Sequence, residues 1–234
     1  MSEQFESIQI RTFKTFLNFS ILILLVSTAF FTILSSKYRV LDYQIIRTDN
    51  SFLELNVDSL ATIKGGSIWL INNSDFEKLK LENKTIETIN YTKILPNNLI
   101  IEIKEFEAIA SITDLRNSIP KNTILFKNQI EISKNTALQD LPTVTVSNGP
   151  VANNFSGELV SFFVTLKKFN LRVADFSLVH NGTSLIGEFR GLQIFFGQPV
   201  DLGIKASVLG DFLNSKTCTG EVRFLSSEEI VSDC

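Results

Sequence analysis

Ile94-Leu95-Pro96-Asn97-Asn98-Leu99-Ile100-Ile101-Glu102-Ile103-Lys104-Glu105 is the stretch on which the fold of this chain turns. Pro96-Asn97-Asn98 is a turn signal, because proline presets its own backbone and asparagine tolerates the left-handed region. Beyond it, Leu99, Ile101 and Ile103 alternate with Glu102 and Lys104, the period of a strand buried on one face. On the other side of the turn Ile89 and Tyr91 alternate with Asn90 and Thr92. Two extended segments therefore meet at Pro96.

Working towards the N-terminus, Ser74 and Glu77 stand in a Ser-x-x-Glu capping pattern, with Phe76 and Leu79 on one side of a short helix. Ser67-Ile68-Trp69-Leu70-Ile71 is an apolar stretch leading into it. Earlier still, Leu41, Tyr43 and Ile45 alternate with Asp42 and Gln44, and Asp49-Asn50 follows as a turn. The order over residues 37–112 is thus strand, helical region, helix, strand, strand. A sheet of three strands with two helices on one face would bury the apolar positions of all five.

Residues 113–234 have their own pattern. Thr123–Phe126 and Gln129–Ile132 are short extended segments across a Lys127-Asn128 turn, with Leu141-Pro142-Thr143-Val144 after them. Ser156 is placed to cap a helix on which Leu159, Phe162, Phe163 and Leu166 recur at helical spacing, with Lys167 and Lys168 at its end. Strands are expected at Phe176–Val179, Thr183–Phe189 and Leu192–Phe196, separated by Asn181-Gly182 and Arg190-Gly191. A second helix from Asp201 carries Leu202, Ala206, Leu209 and Leu213 on one face, and Glu221-Val222-Arg223-Phe224-Leu225 is the last strand. Nine polar-leaning residues follow it, so it is expected to be a sheet edge.

Ahead of both regions, no charged residue occurs from Thr15 to Ser36. Those 22 residues would form a helix of roughly 33 Å, enough to cross a hydrocarbon core of about 30 Å. Phe30, Phe31, Ile33 and Leu34 stand where a signal peptide would carry small residues for cleavage, so an uncleaved anchor is expected. Arg11 and Lys14 on one flank balance Lys37 and Arg39 on the other, and the charge rule for orientation does not decide. The short first segment, 1–14, is expected in the cytoplasm because that is the usual arrangement for such an anchor.

Composition excludes several classes. Apolar residues make up 44% and charged residues 20%, which favours a folded core over disorder. A net charge of −3 and a pI near 5.3 argue against a nucleic-acid partner. The excess of Phe, 20 against 3 Tyr, is what an AT-rich genome would produce and carries no function. Cys218 and Cys234 have no metal-ligand spacing and are read as free thiols, one disulfide being the alternative. The single histidine, His180, is beside Asn181-Gly182 and is expected to be a solvated loop residue. Gly65-Gly66-Ser67 falls short of a phosphate loop, and Glu228-Glu229 reads as a solvated tail. No nucleophile–base pair, metal set or cofactor motif is present, so a non-catalytic protein is expected, with no cofactor and no metal. Asn-x-Ser/Thr sequons at Asn18, Asn72, Asn83, Asn90, Asn154 and Asn181 are what an Asn-rich composition produces, and they keep a glycoprotein open as a minor alternative.

A membrane helix, the strand–helix–helix–strand–strand unit, and the Pro96–Glu105 hairpin running into Ala108-Ile109-Ala110-Ser111-Ile112 together resemble the bacterial cell-division family FtsQ/DivIB. That family reads P-x-x-L-x-I-x-V-x-E at the hairpin. Gly191-Leu192-Gln193-Ile194-Phe195-Phe196-Gly197, Lys205, Leu209 and Glu221-Val222-Arg223-Phe224 are similar to its later pattern. Where the family often has a glycine after the first strand, this chain has Arg47-Thr48-Asp49-Asn50, and asparagine takes the same backbone conformation.

The resemblance implies an α+β chain: tail 1–14, transmembrane helix 15–36, POTRA-like domain 37–112, and a mixed α/β-rich "β domain" 113–234 built on an antiparallel sheet. It implies a single-pass protein of the cytoplasmic membrane at the division septum, with its C-terminal part outside. Its implied partners are FtsB- and FtsL-like membrane proteins and other divisome components. Glu221, Val222, Arg223, Phe224 and Leu225 are the implied partner-binding strand, Phe224 an apolar anchor and Arg223 a charged contact. Alternation puts Val222 and Phe224 on one face and Arg223 on the other, so an inward-packed Phe224 stays open. A POTRA-containing factor for secretion or outer-membrane assembly, and an extracytoplasmic enzyme with an irregular site, are the other classes.

Overall fold

The computed structural model describes residues 2–47, 54–134, 140–215 and 219–233, with side chains from residue 15 onward. Thr48, Asp49, Asn50, Cys218 and Cys234, on which sequence readings fell, lie outside them. Helix α1 (Ser2–Leu34) includes Thr15–Leu34, long and apolar enough to cross a membrane, with a mean hydropathy of 2.2. None of that span is buried by the rest of the chain. The helix stops two residues before the expected end, where Ser35 caps a 3-10 turn at Ser36–Tyr38.

The chain divides into two compact units, Met1–Glu105 and Phe106–Cys234. In the first, β1 (Asp42–Arg47), β2 (Ile86–Ile94) and β3 (Asn98–Glu105) form a sheet in the order β1-β3-β2. β1 runs parallel to β3, and β2 antiparallel to it. Leu99, Ile101 and Ile103 of β3 are buried against Leu60, Ile63 and Ile68, and against Phe76 and Leu79 at helix α2 (Glu77–Glu82). The capping box is two residues earlier than the sequence suggested. Asn72 Oδ1 accepts the Ser74 amide at 2.9 Å, and the Asp75 carboxylate accepts the Asn72 amide at 2.9 Å. Asn is as good a cap as Ser, and this pair turns the chain into a 3-10 segment, Asn73–Phe76, before α2 begins. Asn83 is buried, its amide bonded to Asn56 and Leu79, so that sequon is used structurally.

Strand β4 (Ala108–Asp114), which the sequence reading kept with the first region, pairs in the second unit. The unit's sheet has nine strands: β4, β5 (Lys121–Phe126), β6 (Glu131–Ser133), β7 (Thr143–Asn148), β8 (Phe176–Asn181), β9 (Leu185–Phe189), β10 (Leu192–Gly197), β11 (Glu221–Phe224) and β12 (Ile230–Ser232). Their order is β12-β11-β10-β9-β8-β7-β4-β5-β6. The expected antiparallel sheet is corrected to a mixed one, since β4–β7, β7–β8 and β10–β11 are parallel. Parallel neighbours need a crossover, and two are supplied by helices α3 (Phe155–Lys167) and α4 (Leu202–Ser215). Leu159, Phe162, Phe163 and Leu166 of α3 and Leu202, Ala206 and Leu209 of α4 are buried against one face of the sheet. Ser156 does not cap α3, which begins at Phe155. Its hydroxyl instead donates to Glu131 Oε1 at 2.6 Å.

Candidate partner-binding edge

Strand β11 is anchored through its inward positions. Val222 is fully buried, and the half-buried Phe224 stacks on Phe196 of β10, centroids 5.4 Å apart and planes 17° from parallel. That decides the open question about Phe224: it packs inward. The outward positions are Glu221 and Arg223, ion-paired at 2.9 Å, with the Arg223 guanidinium 4.7 Å from the Phe195 ring centre. Leu225, just past the strand, is 66% exposed.

β11 is not the edge. The residues expected to be a polar tail fold back, with Ser226 Oγ accepting the Glu228 and Glu229 amides at 3.3 and 3.1 Å. β12 then pairs antiparallel with β11 through Val222–Ser232, Arg223–Val231 and Phe224–Ile230. The bonds Leu225 N to Glu229 O and Asp233 N to Glu221 O, both 3.0 Å, set the phase of the ladder. Residues 229, 231 and 233 face β11, so the backbone N–H and C=O of Ile230 and Ser232 point away from it. A row of polar groups at a sheet edge is a template for another strand. The sequence signal that would have found β12 is the β-branched pair Ile230-Val231 directly after a Ser-Ser-Glu-Glu turn.

Helix α4 is fixed to this end by two charged groups. Lys205, buried, donates from Nζ to the carbonyls of Phe196 and Gln198 at 2.8 and 2.9 Å, and burial pushes its pKa down. The Glu158 carboxylate accepts the Leu202 amide at 2.7 Å, at the first turn of α4.

His180 is corrected from a solvated loop residue to a buried one. Phe176, Leu178 and His180 are the inward positions of β8, and the imidazole lies 5.2 Å from the Phe155 ring. Burial lowers its pKa, and the Arg116 charge lowers it further. A cleft of about 230 Å³ nearby is lined by Asp114, Arg116, Lys121, Glu131 and Ser156 among others. Its carboxylates are engaged: Arg116 holds Asp114 at a pKa of about 2, and Glu131 accepts from Thr123 and Ser156. No group of three His, Cys, Asp or Glu side chains suited to a metal occurs among the described residues.

No protein-family model matches the chain. Among curated proteins, the cell division protein DivIB of Clostridium acetobutylicum is 28% identical to it over 171 residues, 68% of this chain. The chain is similar to this member of the FtsQ/DivIB family. It spans 65% of the length of that DivIB relative. The membrane-length helix near its N-terminus fits a membrane-anchored division protein.

Proposed function

We propose that this chain is a non-catalytic scaffold of the cell-division machinery that takes up a strand of an FtsB- or FtsL-like membrane protein along its open β12 edge. In this reading α1 crosses the cytoplasmic membrane with the N-terminus inside. The first unit acts as a POTRA-like module, bringing the protein to the division site. Its strand–helical–helix–strand–strand order and β1-β3-β2 sheet support that assignment. The second unit holds the partner, and the output is control of septal cell-wall synthesis by other enzymes. One observation carries the reading: the polar groups of Ile230 and Ser232 line an edge that no strand covers among the described residues. The implied strand Glu221–Leu225 contributes from behind, Val222 and Phe224 gripping the core while Arg223 and Leu225 flank the edge.

The test uses the full-length chain as bait in solubilised source membranes, beside a Ser232→Pro variant. Proline there removes an outward N–H and leaves the ladder to β11 intact. Wild type is expected to capture small coiled-coil membrane proteins and Ser232→Pro to lose them. Equal capture by both removes the edge from the reading. Recovery of barrel or translocation components would replace it with the secretion or outer-membrane assembly alternative.

A further inference from the structure

The segment that leaves the membrane helix is stitched to a loop carrying exposed aromatic and aliphatic side chains. Leu34 ends α1, and only Ser35-Ser36-Lys37 separates it from Tyr38. The Tyr38 carbonyl accepts the Ile68 amide at 2.8 Å, and Arg39 forms an antiparallel bridge with Ser67. Val40 donates to Gly66 O and accepts from Gly65 N, both at 2.9 Å. Gly65, at φ +84°, makes the bend that permits this pairing. The loop beyond is thereby held beside the helix exit, with the rings of Tyr38 and Trp69 5.6 Å apart.

The β2–β3 turn comes to the same end. Leu41 donates to Asn97 O at 3.0 Å, and Lys93 Nζ to Trp69 O at 3.3 Å. Trp69, Leu70, Leu41, Ile94 and Leu95 are 42, 62, 67, 42 and 52% exposed. Among the other described large apolar residues of this unit beyond α1, only Ile46 and Leu81 are comparably open, and they lie elsewhere. Lys37 and Arg39 are exposed at this end, and Asp42 there is paired with Lys64 at 3.4 Å.

We infer that this end of the first unit is seated in the surface of the bilayer that α1 crosses, with Trp69, Leu70, Leu41 and Leu95 at the headgroup–acyl boundary. The inference rests on α1 being a membrane span. Four residues of chain reach at most about 14 Å, and the polar zone of a leaflet is roughly 5–8 Å deep, so lipid is within reach whenever α1 is inserted. Indole and phenol rings favour that zone, and the basic side chains beside them complement anionic headgroups. Lipid is the occupant that α1 itself brings to this patch.

Trp69 is the only tryptophan of the chain, so its emission reports this patch directly. The full-length protein is reconstituted in phosphatidylglycerol–phosphatidylcholine vesicles, with and without acyl chains brominated near the headgroup. An alkaline wash separately establishes whether α1 is inserted. Retention with about a two-fold or greater loss of Trp69 emission in the brominated vesicles is the expected result. Retention with unquenched emission that a water-soluble quencher still reaches overturns the seating and leaves the anchor standing; a protein cover would give this result. Release by the wash overturns both.

Discussion

The rings of Phe196 and Phe224 stack 5.4 Å apart, and Phe196 in turn meets Phe162 of α3 edge-on at 5.2 Å. Phe162 continues the contact to Phe176, which stacks on Phe189 at 4.2 Å. A line of aromatic contacts therefore runs from β11 through the helical layer to β8 and β9. The strand behind the proposed β12 edge is held to the core by a ring, so that edge and the stability of the second unit are linked through Phe224.

Phe224→Ala is expected to destabilise the second unit by roughly 2 kcal/mol, since a half-buried ring and its stacking partner are both lost. Arg223→Ala, at the adjacent but outward-facing position, should leave stability nearly unchanged. Urea unfolding of the two variants checks this. Equal losses would mean that Phe224 does not grip the core.

Gly187 of β9 lies directly beneath the same cluster. A Cβ there would come within 2.8 Å of Phe196 Cε2 and 3.0 Å of Leu178 Cδ2, both core atoms. Gly187→Ala is therefore expected to cost about 1–3 kcal/mol through overpacking. Adding Phe196→Leu should recover part of that loss, read as a coupling in a double-mutant cycle. Strict additivity of the two changes would rule the clash out.

Most elements were readable because their periods are long. Leu159, Phe162, Phe163 and Leu166 predict α3, and Leu99, Ile101 and Ile103 predict β3; all are buried as expected. Arg190-Gly191 closes the β9–β10 hairpin with positive φ at both residues, 50° and 84°. Pairing was not readable: alternation tells which face is buried, never which strand lies alongside, and so the parallel β4–β7–β8 arrangement was missed. β12 was missed because three residues cannot display a period. His180 was readable and misread, since counting by two from Phe176 and Leu178 reaches it before the turn does.

That burial has a pH consequence. The folded His180 has a lowered pKa, while in the unfolded chain histidine titrates near about 6.5. Below about 6.5 the unfolded state takes up the proton first, so this contribution is intact at higher pH and is lost as pH falls towards the folded pKa. The slope from one such group cannot exceed about 1.4 kcal/mol per pH unit. Asp114, with its pKa lowered from 3.8 to about 2, loses its contribution only as pH falls from 3.8 towards about 2. Stability measured at pH 7.5 and 5.5 should fall less in His180→Gln than in wild type. An unchanged difference would assign the acid sensitivity to other groups.

In the first unit the ends of β1 and β3 are joined by a charge pair. Arg47 donates from Nε and Nη2 to Glu105 Oε2 at 3.1 and 2.6 Å, while Thr85 donates to Oε1 at 3.1 Å. Glu105 is buried, so removing Arg47 leaves a carboxylate away from water without its guanidinium partner. Breaking a buried pair from one side costs about 3–5 kcal/mol, and the partial exposure of Arg47 brings the expectation for Arg47→Met to roughly 2–4 kcal/mol. Arg47→Lys keeps the charge but loses the two-pronged geometry, so it should fall between that variant and wild type. Amide hydrogen exchange in β1 and β3 reads the effect within this unit alone. If Lys and Met at position 47 destabilise these strands equally, the guanidinium contributes through packing and not through Glu105.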